Sequence, residues 1–140
     1  MKKFFLVTIF FLLCPIAVVG QKIENASRRT IGYVSSSGTI ENASRRTVGY
    51  LSKSGTVEDA SRRTLGYIKS NGTVENASRG TIGYLLSNGR VENASRSTLG
   101  YILENGRIEN SSRRTIGYAS RVEPRAAAVI FFFFDLIPLD

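Results

Sequence analysis

Histidine and tryptophan are absent from the 140 residues, and cysteine and methionine occur once each. Without histidine there is no His-based triad and no imidazole metal ligand. The one cysteine, Cys14, lies in the apolar N-terminal segment. If that segment is removed, the remaining chain has no thiol for catalysis, zinc binding or disulfide formation. Neither apolar run is long. Phe4 to Gly20 and Ala126 to Ile137 both fall short of the roughly 20 residues a bilayer span requires. Acid is the minority charge, with 11 Asp and Glu against 19 Lys and Arg. No catalytic residue and no cofactor or metal site is expected from this inventory.

What is present begins with the features of a secretory signal peptide over residues 1–20. Lys2 and Lys3 form the basic start, Phe4 to Leu13 the apolar stretch, and Val18-Val19-Gly20 the small-residue cleavage site before Gln21. A retained anchor and acylation of Cys14 are the alternatives. Leu13 stands where a small residue would precede a lipidated cysteine. Cleavage leaves a net charge of +6 and predicts an exported protein of the periplasm, cell envelope or extracellular space. Such a charge suits anionic partners, but nucleic acid is not expected in that compartment. The plain reading of the excess is solubility.

The rest is organised by a 17-residue unit whose copies begin at Ile23, Ile40, Val57, Val74, Val91 and Ile108, without insertion. Each unit predicts two short strands, about Thr30 to Ser35 and Thr39 to Asn42 in the first copy. The tight turns between them are Ser37-Gly38, Ser54-Gly55, Asn71-Gly72, Asn88-Gly89 and Asn105-Gly106. Asn-Gly at a hairpin predicts a type I′ turn with positive φ at both central residues. The second connection, Asn42 to Arg46, reads as a longer polar loop. A glycine recurs in mid-strand at Gly32, Gly49, Gly66, Gly83, Gly100 and Gly117, which marks a bulge or a close backbone approach.

The repeat starts and ends on half units, Gln21 to Asn25 and Thr115 to Ala119. These complementary halves predict a closed ring of six hairpins, about twelve strands, rather than an open solenoid. Closure at a spacing of about 4.8 Å and a tilt of about 40° gives a radius of about 12 Å. Such a ring cannot fill itself. Arg121 to Arg125 reads as a linker, and Pro124 to Ile137 as a hydrophobic helix about 21 Å long inside the ring. Burial of Phe131 to Phe134 would contribute about 6–12 kcal/mol before entropy. Insertion of this tail into a membrane is the alternative, made costly by Asp135 and Asp140.

The tandem Thr-Ile-Gly-Tyr and Asn-Gly-Thr-Val-Glu-Asn hairpins, with the closing Tyr118-Ala-Ser and Ala-Ala-Ala-Val-Ile-Phe-Phe-Phe-Phe, resemble the bacterial β-flower proteins. The resemblance covers nearly all of the chain after residue 20. It implies a shallow ring of hairpins around a C-terminal hydrophobic helix, similar in architecture to tubby-like domains and phospholipid scramblases. The tubby-like relatives suggest lipid binding, but no motif here matches their lipid-binding residues.

Residues repeated six times point to structural joints before chemistry. Glu24 and Arg28, and each pair 17 residues on, are four apart and predict an ion pair; the sharper reading is a ring of guanidiniums clamping an anion. Tyr33 and its five counterparts read as wall packing or as a stacking platform. The position after each paired arginine is Arg29, Arg46, Arg63, Gly80, Ser97 and Arg114. Its variability predicts an outward, unpaired site, and those four arginines are the candidate ligand-binding residues. The expected protein is a monomeric, non-catalytic module meeting anionic lipid or another anionic surface. The alternative is a structural or assembly protein of the cell envelope that binds a protein partner.

Overall fold

The computed structural model describes residues 21–140. The expected signal peptide and the question of Cys14 acylation lie outside the described residues.

Twelve antiparallel strands close into a barrel, each paired with its neighbours in sequence and β1 paired with β12. They run β1 Gln21–Asn25, β2 Thr30–Val34, β3 Thr39–Asn42, β4 Thr47–Leu51, β5 Thr56–Asp59, β6 Thr64–Ile68, β7 Thr73–Asn76, β8 Thr81–Leu85, β9 Arg90–Asn93, β10 Thr98–Ile102, β11 Arg107–Asn110 and β12 Thr115–Tyr118. The closed ring expected from the half units is therefore the observed architecture. Its seam pairs Glu24 with Tyr118 and Asn25 with Gly117.

Both rims use the same turn. At one rim the Gly38 amide donates to the Ser35 carbonyl and the Ser35 amide to the Thr39 carbonyl. Only the glycine has positive φ, 90° at Gly38. This is a type I turn closed by a glycine bulge, so the expected type I′ geometry is corrected. The expected longer polar loop is corrected as well. At the other rim the Arg28 amide donates to the Asn25 carbonyl and the Asn25 amide to the Arg29 carbonyl, the same pattern with arginine in glycine's place. The two ends of the barrel are thus a glycine rim of five turns and an arginine rim of six.

Every strand pair joined at the arginine rim carries a register shift, as between Ile23 and Glu24 opposite Gly32 and Thr30. Ile31 is the extra residue, and both Ile31 and Val34 are buried. The bulge turns positions 31, 32 and 34 inward and leaves Tyr33 on the outer wall opposite Glu41. Ile23, Ile40, Val57, Val74, Val91 and Ile108 complete the inner layer and are fully buried.

The tail fills this wall, but not as one helix. An α-helical turn, α1 (Pro124–Ala128), passes into a π-helical turn, η1 (Val129–Phe133), and Phe134 is extended. The reason lies in the wall. Adding a Cβ to Gly117 would bring it against Phe131, to Gly100 against Phe132, and to Gly83 against Phe133. The same operation brings Gly66 against Phe134, Gly49 against Leu136 and Gly32 against Ile137. Successive tail residues therefore serve successive petals around the ring, with Asp135 skipped and exposed. Six petals stand about 60° apart, whereas an α-helix turns about 100° per residue. Widening to a π-turn, with the Phe134 amide donating to the Val129 carbonyl, and then unwinding slows the rotation to match. Only Phe131 among the four phenylalanines is buried, and the other three are half-buried, so the four-phenylalanine burial expected above is an overestimate. Ile137 takes part of that role. No helix among the described residues is long and apolar enough to cross a membrane.

Candidate functional site

The repeated polar residues assemble a clasp at each arginine-rim turn. The Asn25 side-chain oxygen accepts from the amides of Ser27 and Arg29, both at 3.0 Å. This fixes the turn and holds Arg28 at φ 65°. A non-glycine residue there costs on the order of 1–2 kcal/mol. Two contacts offset the cost. The Arg28 guanidinium approaches Glu24 at 3.6 Å and lies 3.5 Å over the ring of Tyr118. The other five petals repeat it, from Arg45 over Tyr33 to Arg113 over Tyr101, at 3.5 to 3.6 Å. The expected ion pair is present in all six. The tyrosines pack on the outer wall rather than forming an open platform, since each ring is capped on one face by arginine. Across the seam, where no peptide bond joins the strands, the Arg28–Tyr118 clasp does the same work as elsewhere.

Three petals add a second cation. Lys69 joins Glu75, Arg90 joins Glu92, and Arg107 joins Glu109. Burial pushes the Glu75 and Glu92 carboxyls up, but hydrogen bonds from Lys69 and Arg79, and from Arg96 and Arg90, outweigh it and hold both below the usual range. These carboxylates are committed to the wall. No group of three or more metal-ligating side chains exists among the described residues.

The four candidate arginines divide. Arg29, Arg46 and Arg114 are exposed and pair with no carboxylate among the described residues, whereas Arg63 bonds Asp59 at 3.3 Å. Hydrogen bonds from the Arg63 and Ser61 amides help to hold Asp59 below its usual range. The expectation of four unpaired arginines is therefore corrected to three. The guanidiniums stacked on tyrosine keep 55% to 64% of their side-chain surface exposed, so they also face solvent at this rim. One step inside stand the half-buried Val48, Leu65, Ile82, Leu99 and Ile116, around the half-buried Phe132, Phe133, Phe134 and Leu136.

At the glycine rim the tail enters beside the turns. Arg125 bonds Glu123 and lies 3.5 Å from the carbonyls of Ile68 and Lys53. It divides the rim into two grooves, of about 540 Å³ and 480 Å³.

A family model described as a 5-fold beta-flower protein matches residues 20–135. The chain belongs to the β-flower family. No curated protein and no solved structure gives a match. The family's description is five-fold, and the described residues of this β-flower form five glycine-rim turns but six arginine-rim turns and twelve strands. Its Arg–Tyr stacking was hidden in the sequence, because each arginine lies in a turn and its tyrosine on a strand 12 residues earlier, or, for Arg28 and Tyr118 at the seam, 90 residues later. The only signal was their joint invariance across the repeat.

Proposed function

We propose that this β-flower is a non-catalytic module that docks by its arginine rim onto an anionic phospholipid surface. The observation that carries the reading is the concentric arrangement of that rim. Unpaired Arg29, Arg46 and Arg114 and the outward faces of the stacked arginines surround an apolar annulus and plug. Basic residues around an apolar patch match the headgroup and acyl boundary of a bilayer. Each cation near an anionic surface contributes about 1 kcal/mol. Exposed Asp135 at the plug restricts the contact to interfacial depth, since a carboxylate resists deeper burial.

The test is flotation with vesicles of phosphatidylcholine alone or with added phosphatidylglycerol. Binding should require the anionic lipid and weaken with salt. Replacing Arg29, Arg46 and Arg114 by serine should abolish it without unfolding, because Ser97 already occupies this position in one petal. Binding to neutral vesicles, or binding unchanged in the triple variant, would refute the proposal. Recovery of one protein partner from envelope extract, with no lipid dependence, would favour the assembly role instead.

A further inference from the structure

The larger glycine-rim groove is where the five turns of that rim stop being alike. In the first two turns the Ser35 and Ser52 hydroxyls accept from the amides of Thr39 and Thr56 at 3.0 Å. In the next three turns Asn71, Asn88 and Asn105 accept from the amides of Thr73, Arg90 and Arg107 instead. The residues at the serine position are thereby released from holding the turn. They are Lys69, Leu86 and Leu103, and all three line the groove. Water-facing turns have no need of leucine. Here two adjacent turns carry it, and Leu85 and Ile102 continue the apolar wall beneath. A groove of about 540 Å³ lies within the range of small-ligand sites, which pair an apolar lining with few polar groups.

The polar groups favour an anion. Lys69, Arg121 and Arg125 stand on the lining against one carboxylate, Glu104. Lys69 is engaged by Glu75 and Arg125 by Glu123. Arg121, exposed and at φ 63°, has no carboxylate partner among the described residues. It sits where the repeat ends and has no counterpart in the other petals.

We propose that this groove binds a single-chain amphiphile with an anionic head, its alkyl chain along Leu86 and Leu103 and its head at Arg121. The site is on the opposite rim from the lipid-docking surface and does not depend on that reading. It would hold one detached chain rather than a bilayer.

The probe is sodium decanoate below its micellar concentration, titrated into the purified protein and followed by amide NMR. The Gly72 and Gly89 amides, which line the groove, should shift saturably while that of Gly38, in the smaller groove, stays in place. Leu86→Ser with Leu103→Ser should raise the dissociation constant at least tenfold. That double variant restores the residue of the first two turns, so the fold should persist, as circular dichroism would verify. Arg121→Ser should remove most of the preference for decanoate over decanol. Non-saturating shifts, equal affinity for decyltrimethylammonium, or undiminished binding in the double leucine variant would each overturn the proposal.

Discussion

Alanine at Gly117 tests the fit between wall and plug at the point where the barrel has no covalent closure. The added Cβ would stand 2.5 Å from Cε1 of Phe131 and 2.6 Å from the Glu24 carbonyl across the seam. Both are closer than carbon contacts allow. Phe131 is buried and cannot swing away, and the carbonyl belongs to the pairing of β1 with β12. Overpacking of this kind costs about 1–3 kcal/mol, and loosening a strand hydrogen bond about 1 kcal/mol more. Stiffening of the unfolded chain returns about 0.4–1 kcal/mol. The net expectation is a loss of about 1–3.6 kcal/mol, a large part of the stability of a small domain. Gly80→Ala is the control. It lies in an arginine-rim turn where other petals carry Arg or Ser, and its Cβ would meet only the Asn76 side chain at 3.2 Å. It should be neutral or stabilise slightly. Urea unfolding followed by tyrosine circular dichroism would measure both. Adding Phe131→Leu to Gly117→Ala should recover part of the loss, a positive coupling in a double-mutant cycle. A Gly117→Ala variant within about 0.5 kcal/mol of the parent, a margin of about the error of such cycles, or two alanines that behave alike, would show that the wall does not fit closely around the plug.

Truncation after Arg121 should leave a chain with no cooperative urea transition, because the six wall glycines lose every partner on the plug; a folded, more soluble ring would show that the tail is dispensable. Arg96→Lys keeps the charge near Glu92 but loses the planar stack on Tyr84, and should cost about 0.5–1 kcal/mol in the same unfolding assay. The depressed carboxyls of Glu75 and Glu92 bind fewer protons folded than unfolded. Their contribution is therefore fully present above the unfolded value of about 4.3 and lost as pH falls through their lower folded values. Urea midpoints should be flat from about pH 7 to 5 and drop below about pH 4. Glu75→Gln with Glu92→Gln should make that drop shallower; an unchanged acid limb would remove these two groups from the account.

Much of the fold was legible because the repeat constrains it. The half units at Gln21 and Thr115 announced closure, and the mid-strand glycines announced a close approach without naming the partner. The one-to-one match of tail residues with petals was not readable. An apolar run such as Val129 to Phe133 carries no sign of an i+5 hydrogen bond, which follows from the spacing of the surrounding wall. The left-handed Arg28 was equally hidden, since that conformation ordinarily selects Gly or Asn and arginine holds it here through contacts with Glu24 and Tyr118. At the candidate site, invariance flagged Glu24, Arg28 and Tyr33, all of which belong to the clasp. The informative residues are those where the copies disagree, Arg29 and its variants at one rim and Leu86 and Leu103 at the other.

The plug also sets how many petals this flower can carry. Gain or loss of a single 17-residue copy, an accident to which tandem sequences are prone, would leave one glycine niche empty or one tail side chain homeless. Copy number and tail length must therefore change together, and the spacing of large residues between Phe131 and Ile137 acts as a ruler for the circumference.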